Sequence, residues 1–534
     1  MNVAVLGEDC ALARATSEEL ARRGHAVSPD AQECAIFFPG KTTATGESLA
    51  RLARGGPVAR LVLRSHAFAY GSNAKNPGGM TEERVSLLPL EAPESAWLKA
   101  EEIALRHPNA AVIRLTTVLA RDGDLLARQI AEKFAATLPG RDPNVQFLSL
   151  RDAARALVAA AESSAKGIFN AAADEEIPLF QALRAAGTTR IPTPKFLQNI
   201  FRRDSSPDQM EFNWTVSRER AERELGFRAE RTTREALADF LREKSGARPE
   251  LLRARYDDWG QDYDVIRRWG YWFNLVRKYY WRIEMEGTEH LPRQGRALYV
   301  SNHRGFMPLD GVMHLYLGLA GCGRAIRFLI IPSLLYPPFM SNFWTKLGCV
   351  VASQESATRL FAGDNIVGIF PEGIRGTFLP YRETYKLRDF SKSGFVQMAI
   401  ENQAPILPVV VVGHAEIFPI IGRIDSTYLK QLTGWPYFPI APPFPFLPML
   451  PLPSKWHMRV LPPISVAGLS PADAQNKKVV HDVARYVQNL MQQNLDHMLA
   501  RRKHIFWGRV LDGTAPPRDP LPSALPMDRV AGSV

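Results

Sequence analysis

The first part of the chain alternates short apolar runs with segments of helical periodicity. The apolar runs have the length of buried strands and lie at residues 2–6, 35–38, 60–63 and 111–115. A helical pattern at residues 11–23 follows the first run and ends at Gly24. Strands that alternate with helices pair in parallel, because each helix returns the chain to the edge where the next strand starts. The sequence therefore predicts an α/β fold with a doubly wound parallel sheet.

The chain is long enough for more than one domain. Its 534 residues correspond to about two to four domains at roughly 100–200 residues each. A charged segment follows the last helical pattern of the first region, near 232–243, and a second series of strands and helices then begins. The end of the chain is rich in proline and small residues, which is typical of disorder. We expect a Rossmann-like domain at 1–245, a linker at 246–263, a separate α/β domain at 264–505 and a disordered tail at 506–534.

The formal net charge of the chain is +11. A basic chain favours anionic partners, namely nucleic acid, anionic lipid headgroups or acidic carriers, and charge alone does not choose among them. The four cysteines lack the spacing of a zinc site or a disulfide framework, which fits a reducing cytosol. The sequence has neither a secretory signal pattern nor a run of about 18 apolar residues. Any contact with a membrane is therefore expected to be peripheral, at its cytoplasmic face.

The first predicted strand leads into a glycine turn and a helix. This arrangement places a helix N-terminus against the pyrophosphate of a dinucleotide, and its fingerprint contains three glycines. Gly7 takes the first place, but Cys10 takes the second and Ala13 the third. Alanine is tolerated at the third place, whereas a side chain at the second blocks close approach of the backbone to phosphate. Gly7 is thus the candidate cofactor-binding residue of a site that has lost part of its pattern.

Residues 1–245 resemble the extended short-chain dehydrogenase/reductase family, the NAD-dependent epimerases and dehydratases. The resemblance is carried by VAVLGEDCALARATSEELARRGHAV, RLVLRSHAFAYG, WLKAEEIALRHPNAAVIRLTTVL, FLSLRDAARALVAAAE and VSRERAERELGF. His66 stands at the position of the family's catalytic Ser or Thr, and Ser95 at that of the Tyr in its YxxxK motif, of which Lys99 remains. That Tyr serves as general acid and base, and a Ser hydroxyl is much too weak an acid to replace it at neutral pH. The segment before AIFF is also shortened, which removes part of the usual adenosine site.

Three interpretations of this first domain stay open. It can be a scaffold without turnover, an active oxidoreductase or epimerase, or a domain that still binds a nucleotide. His66 and Ser95 favour the first of these, so NAD(P) binding is not assumed.

A second candidate site begins where the strand predicted at 297–301 ends, in the block SNHRGFMPLD at 301–310. Histidine is the natural base near neutral pH, and a carboxylate can fix its tautomer and stabilise the imidazolium. A continuous helix would hold His303 and Asp310 about 10 Å apart at ~1.5 Å per residue. Gly305 and Pro308 disfavour a continuous helix. We therefore expect a loop that folds Asp310 back onto His303.

Three further blocks follow. They are LGCVVAS at 347–353, FPEGIRG at 370–376 with YKL at 385–387 and SGF at 393–395 after it, and APILPVV at 404–410. The glycine-rich turn of FPEGIRG presents the carboxylate of Glu372 and the guanidinium of Arg375 together. A guanidinium is suited to bind phosphate through two parallel hydrogen bonds.

In this order, over roughly residues 265–470, the blocks resemble the glycerolipid acyltransferases, the superfamily of lysophosphatidic acid and glycerol-3-phosphate acyltransferases. The resemblance implies that His303 is the catalytic base and Asp310 its orienting partner. It also implies that Glu372 and Gly373 shape the substrate site and that Arg375 binds the phosphate or headgroup of the acceptor. Two features depart from the common pattern: six residues rather than four separate His303 from Asp310, and residues 350–353 contain no Arg. Both are similar to the monoacylglycerol acyltransferase branch, which argues against glycerol 3-phosphate as the acceptor.

Two segments are candidates for contact with lipid. Residues 264–282 combine seven aromatic residues with five Arg and Lys, which is typical of a helix lying among lipid headgroups. The alternative is a helix packed into the protein core. Residues 435–453 are apolar but rich in proline, so neither a helix nor a central strand is expected there. This run can dip into lipid or line the acyl pocket.

The leading hypothesis is transfer of a fatty acyl chain from acyl-CoA or acyl-carrier protein to a hydroxyl of a glycerolipid. It needs no metal, no additional cofactor and no nucleic acid. Two rivals remain: a nucleotide-dependent oxidoreductase whose second domain tethers it to a membrane, and a non-catalytic lipid-binding scaffold. His66 and Ser95 argue against the first rival, and the set His303, Asp310 and Glu372 argues against the second.

Overall fold

The computed structural model describes residues 1–511 apart from 41–42, 55–57, 90, 93, 121, 202–206, 243, 253–256, 258, 391–393, 434 and 443–449. The described chain forms two compact units. The first comprises Met1–Tyr263 and Leu334–Lys346, and the second comprises Asp264–Ser333 and the described residues from Leu347 onward. Ser393, most of the predicted tail and parts of the predicted linker and of the proline-rich run lie outside the described residues.

The first unit is an α/β fold. Its strands are β1 (Asn2–Gly7), β2 (Ala26–Val27), β3 (Cys34–Phe38), β4 (Leu61–His66), β5 (Ala110–Leu115), β6 (Thr117–Leu119), β7 (Phe134–Thr137), β8 (Asn144–Val145), β9 (Phe147–Ser149), β10 (Gly167–Ala171), β11 (Ile177–Pro178) and β12 (Thr189–Pro192). Its helices are α1 (Ala11–Arg22), α2 (Thr43–Ala53), α3 (Ser95–Ala104), α4 (Leu125–Ala131), α5 (Leu150–Glu162), α6 (Leu179–Ala185), α7 (Lys195–Phe201), α8 (Glu219–Leu225) and α9 (Thr233–Leu241).

The main sheet of the first unit has six strands in the order β10-β5-β4-β3-β1-β2, and every neighbouring pair is parallel. Alternate residues of β3 face opposite sides of the sheet. Ile36 packs in the core that contains α1 and α5, whereas Ala35 and Phe37 pack in the core that contains α2 and α3. Helices thus cover both faces, and the predicted doubly wound parallel sheet is confirmed.

The second unit is also α/β. Its strands are β13 (Glu284–Glu286), β14 (Ala297–Ser301), β15 (Ile326–Ile330), β16 (Val350–Val351), β17 (Ile366–Ile369), β18 (Ile406–Val412), β19 (Gly422–Ile424), β20 (Phe438–Ile440) and β21 (His457–Val460). The helices from this part of the chain are α10 (Tyr263–Leu275), α11 (Leu309–Cys322), α12 (Met340–Leu347), α13 (Gln354–Ala362), α14 (Gly373–Thr377), α15 (Phe395–Glu401), α16 (Thr427–Thr433) and α17 (Lys477–Arg501). A π-helical turn, Val276–Tyr280, follows α10.

The sheet of the second unit has seven strands in the order β13-β21-β18-β14-β17-β15-β16. All neighbouring pairs are parallel except β18 and β21. β14 lies between β18 and β17, and its five residues are buried. Because β14 and β17 are parallel neighbours, the loops at their carboxyl ends meet at one edge, where ligands bind in open α/β sheets. These two loops contain the SNHRGFMPLD and FPEGIRG blocks.

The two lipid-contact candidates adopt different structures. Ile266 is buried on α10, whereas Trp269, Tyr271 and Trp272 are exposed, so this helix does not fit the core-packing alternative. Trp281, at the end of the same segment, is buried and stacks on Trp456, which fits it. Within the proline-rich run, β20 pairs with β19 in a separate two-stranded sheet, so the run contributes no central strand among the described residues. In the part of the chain that the structure describes, no helix has the length and apolarity needed to cross a membrane.

Gly7 ends β1 with a backbone φ of 102°. A Cβ atom there would lie 2.0 Å from the carbonyl oxygen of Phe38, at the end of the neighbouring strand. The glycine is therefore required by the packing of β1 against β3, whether or not a cofactor binds.

We expect Gly7→Ala to destabilise the protein by about 3 kcal/mol or more, since a strained φ and an overpacked contact each cost ~1–3 kcal/mol. Gly24→Ala is the matched control, because Gly24 has a φ of 79° with open space around its Cβ position. Urea unfolding of both variants gives the comparison. Equal losses would contradict the assigned role of the Phe38 contact.

Candidate active site

The loop between β14 and α11 brings the predicted pair together. His303 follows the end of β14 by two residues, and Gly305, at a φ of 81°, reverses the chain before α11 begins at Leu309. Asp310 lies in the first turn of α11. The Nδ1 atom of His303 and the Oδ2 atom of Asp310 are 2.7 Å apart. The pair is thus formed across a loop, as its glycine and proline predict.

The hydrogen bonds of Asp310 determine the tautomer of His303. A carboxylate only accepts, so Nδ1–H of His303 donates to it and the lone pair of the neutral ring lies on Nε2. The carboxylate also accepts from the backbone N–H of Arg304 at 3.2 Å and of Gly311 at 2.8 Å. Nε2 has no hydrogen-bond partner within the described part of the chain, and the side chain of His303 remains 12% exposed. Nε2 is therefore available to accept a proton from a ligand.

An aromatic stack fixes the plane of the imidazole. The ring of His303 lies on that of Phe370 with centroids 4.1 Å apart and an interplanar angle of 14°. Phe370 stacks in turn on Phe328, with centroids 4.9 Å apart. Because Phe370 follows β17 and Phe328 belongs to β15, the sheet itself supports the stack.

Burial and neighbouring charges have opposite effects on the pKa values of Asp310 and His314. Burial raises the pKa of Asp310, but the charge and hydrogen bond of His303 outweigh it, so the pKa is lowered overall and the carboxylate stays ionised. His314, one turn along α11, is fully buried, and burial lowers its pKa to about 4. Its Nδ1 lies 2.6 Å from the hydroxyl oxygen of Tyr299. At neutral pH the buried site thus contains a carboxylate beside neutral His314.

Asn302 ties the loop to the neighbouring strand. Its side chain donates to the carbonyl of Val411 at 3.0 Å and accepts from the N–H of the same residue at 2.9 Å. The side-chain amide therefore continues the ladder between β14 and β18 by one step. It also lies 3.3 Å from Nε2 of His414, whose pKa burial lowers well below its usual value.

Glu372 forms a buried ion pair with Arg304, a residue to which the sequence assigns no role. Nη1 of Arg304 lies 2.5 Å from Oε1 of Glu372, and both side chains are at most 1% exposed. The other oxygen, Oε2, accepts from the N–H of Arg388 at 2.9 Å. A Cβ at Gly376 would lie 2.5 Å from Cβ of Glu372, so a glycine there leaves room for the pair. Both oxygens of Glu372 bind protein groups, and its predicted contact with substrate stays a prediction.

The other two predicted substrate-binding residues have different environments. Gly373 has a φ of 54° and open space at its Cβ position, and it turns the chain into α14. Arg375 is exposed on α14 and has no ion pair or hydrogen bond with any other described residue. Its guanidinium is therefore available to an anion, and its role also stays a prediction.

An aromatic cluster lies beside the loop that carries His303. Phe306 packs on Phe418 at 4.8 Å and on Trp435 at 5.6 Å between centroids. Phe378 also packs on Trp435, at 5.6 Å, and on Tyr437, at 5.4 Å. The beginning of the proline-rich run thus contributes Trp435 and Tyr437 to an aromatic wall. Phe306, which is part of this wall, follows His303 by three residues in the sequence.

The chain matches a protein family over this site. Residues 282–412 match the family model described as Acyltransferase. This segment is therefore similar to acyltransferases. The match spans β14, β17 and β18, so it covers His303, Asp310, Glu372, Gly373 and Arg375. The predicted resemblance of this region to acyltransferases is confirmed.

Individual relatives cover less of the chain. An uncharacterized protein of Mycobacterium tuberculosis is 36% identical over 239 residues, which are 43% of this chain and 65% of that protein. The 1-acyl-sn-glycerol-3-phosphate acyltransferase alpha of Mus musculus is 26% identical over 209 residues, which are 36% of this chain and 58% of that protein.

Solved structures are similar over the other half. MoeE5 in complex with UDP-glucuronic acid and NAD has a TM-score of 0.36 at 16% identity, over 47% of this chain and 98% of that chain. UDP-N-acetylglucosamine 4-epimerase from Bacillus cereus has a TM-score of 0.34 at 13% identity, over 46% and 100%. A likeness at this level carries no argument about function.

The first unit does not fit the dinucleotide that its resemblance implies. The N–H of Ala11, at the start of α1, donates to the carboxylate of the exposed Asp122 at 2.9 Å, so an anion of the protein itself lies where a pyrophosphate would bind. The cavity beside Gly7 has a volume of ≈ 250 Å³, below the ~300–1,000 Å³ of typical ligand pockets. Its lining includes Gly7, Glu8, Asp9 and Arg14.

The position at which the resemblance places a catalytic Ser or Thr is also occupied by protein groups. The N–H of Phe68 donates to Nδ1 of His66 at 3.0 Å, so Nε2 carries the proton and donates to Asp124 at 3.0 Å. The ring of His66 packs against Trp97 and Trp214. Neither nitrogen of His66 is available to a substrate, which supports the scaffold interpretation.

We expect calorimetric titration of the full chain with NAD(H) or NADP(H) to give no micromolar binding, and incubation with either to give no hydride transfer. The reasons are the Asp122 carboxylate, the small cavity and the absence of a Tyr at position 95. The same titration of Asp122→Ala separates the first two causes. If this variant binds the dinucleotide, the carboxylate is what excludes it; if the variant does not bind it, the small cavity is. Micromolar binding by the unmodified chain would refute this expectation.

Proposed function

We propose that the protein transfers a fatty acyl chain from a thioester, acyl-CoA or acyl-carrier protein, to a hydroxyl of a glycerolipid. The observation that carries the proposal is the hydrogen bond from Nδ1–H of His303 to Asp310, which leaves Nε2 free as a base. The match of residues 282–412 to the acyltransferase family supports the reaction class. The name of the mouse relative supports a lysoglycerolipid as the acceptor.

In the proposed reaction, Nε2 of His303 accepts the proton of the acceptor hydroxyl as its oxygen attacks the thioester carbonyl. The ionised Asp310 stabilises the imidazolium that forms, because the two side chains share a short hydrogen bond. The tetrahedral intermediate then collapses, the carbon–sulfur bond breaks, and the imidazolium returns the proton to the leaving thiolate. The products are an ester and a free thiol, and no covalent bond to the enzyme forms at any stage.

The environment of His303 suits these ligands. The aromatic wall of Phe306, Phe378, Phe418 and Trp435 offers apolar surface for an acyl chain. The exposed Arg375 offers a guanidinium to a phosphate or headgroup.

We expect His303→Ala to reduce turnover by at least ~10²-fold, the usual contribution of a general base. The variant should still fold, because Asp310 keeps the backbone donors of Arg304 and Gly311, but it should be less stable, because it loses the stack on Phe370 and the partner of a buried carboxylate. His290→Ala, at another histidine of the same unit, is the control. Labelled acyl-CoA offered with a panel of lysolipids and mono- and diacylglycerols gives the assay. Near-normal transfer by His303→Ala would refute the mechanism, and an inactive unmodified chain that still binds lipid would favour the scaffold rival.

We further propose that the protein acts at the cytoplasmic surface of a membrane. Exposed Trp269, Tyr271, Trp272 and Tyr279 lie on α10 and the following turn, and this aromatic-basic surface also contains Arg267, Arg268 and Lys278. Trp and Tyr prefer the headgroup region, and Lys and Arg are attracted to anionic lipids. Arg282, which follows this stretch, donates to the carbonyl of Phe506, so the exposed Trp507 lies next in the chain to a residue held beside it.

We expect the protein to sediment with vesicles that contain phosphatidylglycerol and to leave them in high salt or alkaline carbonate, because the contact is interfacial and partly electrostatic. The double variant Tyr271→Ala, Trp272→Ala should lose most of this binding. Tyr428→Ala, at an exposed Tyr outside the aromatic-basic surface, should not. Extraction by detergent alone would contradict an interfacial contact.

A further inference from the structure

One side chain of the C-terminal helix holds a loop of the proposed active site. Gln492 lies on α17, and its Oε1 accepts from the N–H of Leu387 at 2.8 Å while its Nε2 donates to the carbonyl of Tyr385 at 3.0 Å. Gln488, one turn earlier, accepts from the N–H of Phe390 at 3.1 Å. Three backbone groups of the loop 384–390 are therefore bound by side chains of α17 rather than by a strand.

The opposite side of the same loop holds Arg304. Nε of Arg304 donates to the carbonyl of Thr384, and Nη2 donates to the carbonyl of Lys386 at 3.3 Å. These two acceptors flank Tyr385, whose carbonyl is bound by Gln492. A displacement of the loop away from α17 would therefore move both acceptors of Arg304.

Arg304 in turn holds the backbone of the proposed base. Its Nη1 donates to the carbonyl of His303 at 2.6 Å, and its backbone N–H donates to Asp310 at 3.2 Å. The connection thus runs from Gln492 through the loop 384–388 and Arg304 to the His303–Asp310 pair. Every step is a hydrogen bond to a buried or half-buried group.

A second anchor limits how far the loop can move. The hydroxyl of Tyr385 donates to Glu416 at 2.6 Å and accepts from the N–H of Gly413 at 2.8 Å. Arg502, just past the end of α17, lies 2.5 Å from Glu416 and donates to the same hydroxyl at 3.2 Å. The side chain of Tyr385 is therefore fixed independently, and Gln492 controls the backbone that Arg304 binds.

We propose that Gln492 is a positioning residue for the His303 site. This inference rests on the proposed function for its effect on turnover. Geometric errors of about 1 Å in a catalytic group can cost ~10²-fold in rate while leaving the binding of substrates intact. Loss of the Gln492 hydrogen bonds should therefore act on kcat rather than on KM.

The test compares Gln492→Ala with Gln493→Ala in the full chain. Gln493 is the exposed neighbour of Gln492 on the same helix, so its variant controls for the change in helix composition. For Gln492→Ala we expect kcat to fall about 10- to 100-fold with KM for both substrates unchanged. Amide hydrogen exchange, followed by mass spectrometry, should become faster in residues 384–390 and also in residues 302–310. Gln493→Ala should change neither measurement.

The turnover assay and the hydrogen-exchange measurement test the proposed function and the positioning role separately. If the unmodified chain transfers no acyl group, the proposed function is wrong, and faster exchange at 302–310 in Gln492→Ala still supports the positioning role. Exchange at 302–310 equal to that of Gln493→Ala overturns the inference, whatever the turnover. If Gln492→Ala does not fold, Gln492→Glu replaces it, because a carboxylate still accepts from Leu387 but cannot donate to Tyr385. Amide exchange at 302–310 in Gln492→Glu should then be faster than in the unmodified chain. Unchanged exchange in this variant overturns the inference too.

Discussion

The buried ion pair of Arg304 and Glu372 is the interaction on which the rest of the proposed active site depends. Its two side chains come from loops that follow neighbouring parallel strands, β14 and β17, and meet at 2.5 Å with almost no exposure. A pair of this kind gives little net stability over an apolar replacement, but loss of one partner leaves an unpaired buried charge that costs ~3–5 kcal/mol. The pair therefore acts mainly as a geometric constraint. It sets the distance between the loop of His303 and the loops at 372 and 384–388.

The same topological rule has different outcomes in the two units. In both, parallel strands deliver loops to one edge of the sheet, where a ligand can approach. In the second unit the edge presents an imidazole nitrogen and an exposed guanidinium, those of His303 and Arg375. In the first unit the edge is filled by its own groups, with Asp122 at the start of α1 and His66 bonded through both ring nitrogens. The two α/β units thus differ in whether the polar groups at this edge of the sheet are already paired with other groups of the protein.

Much of the fold follows from local sequence patterns. The apolar runs at 2–6, 35–38 and 111–115 form β1, β3 and β5, and the periodicity at 11–23 forms α1, because strand and helix periods are local properties. The pairing of His303 with Asp310 was also predictable, since Gly305 and Pro308 exclude a continuous helix. The roles proposed for these residues in catalysis stay predictions.

The partners of the site were not predictable in the same way. Arg304 stands inside the SNHRGFMPLD block, but its burial depends on carbonyl groups some 80 residues away. Gln492 has no signal in the sequence at all, because a glutamine on a long amphipathic helix is ordinary until the loop 385–387 is seen beside it. Glu372 was expected to contact substrate, and its pairing with Arg304 required the register of β14 and β17.

The carboxylate of Asp122 has a consequence for how the first unit is maintained in a cell. A fold that binds a free cofactor gains stability by mass action, about 2.7 kcal/mol when the ligand is present at 100 times its dissociation constant, and loses it when the ligand is scarce. Asp122 is covalently part of the chain, so its local concentration at the start of α1 never changes. With no nucleotide bound, as we expect for this unit, its folded population would not follow the supply of nucleotide or the redox state of the cell.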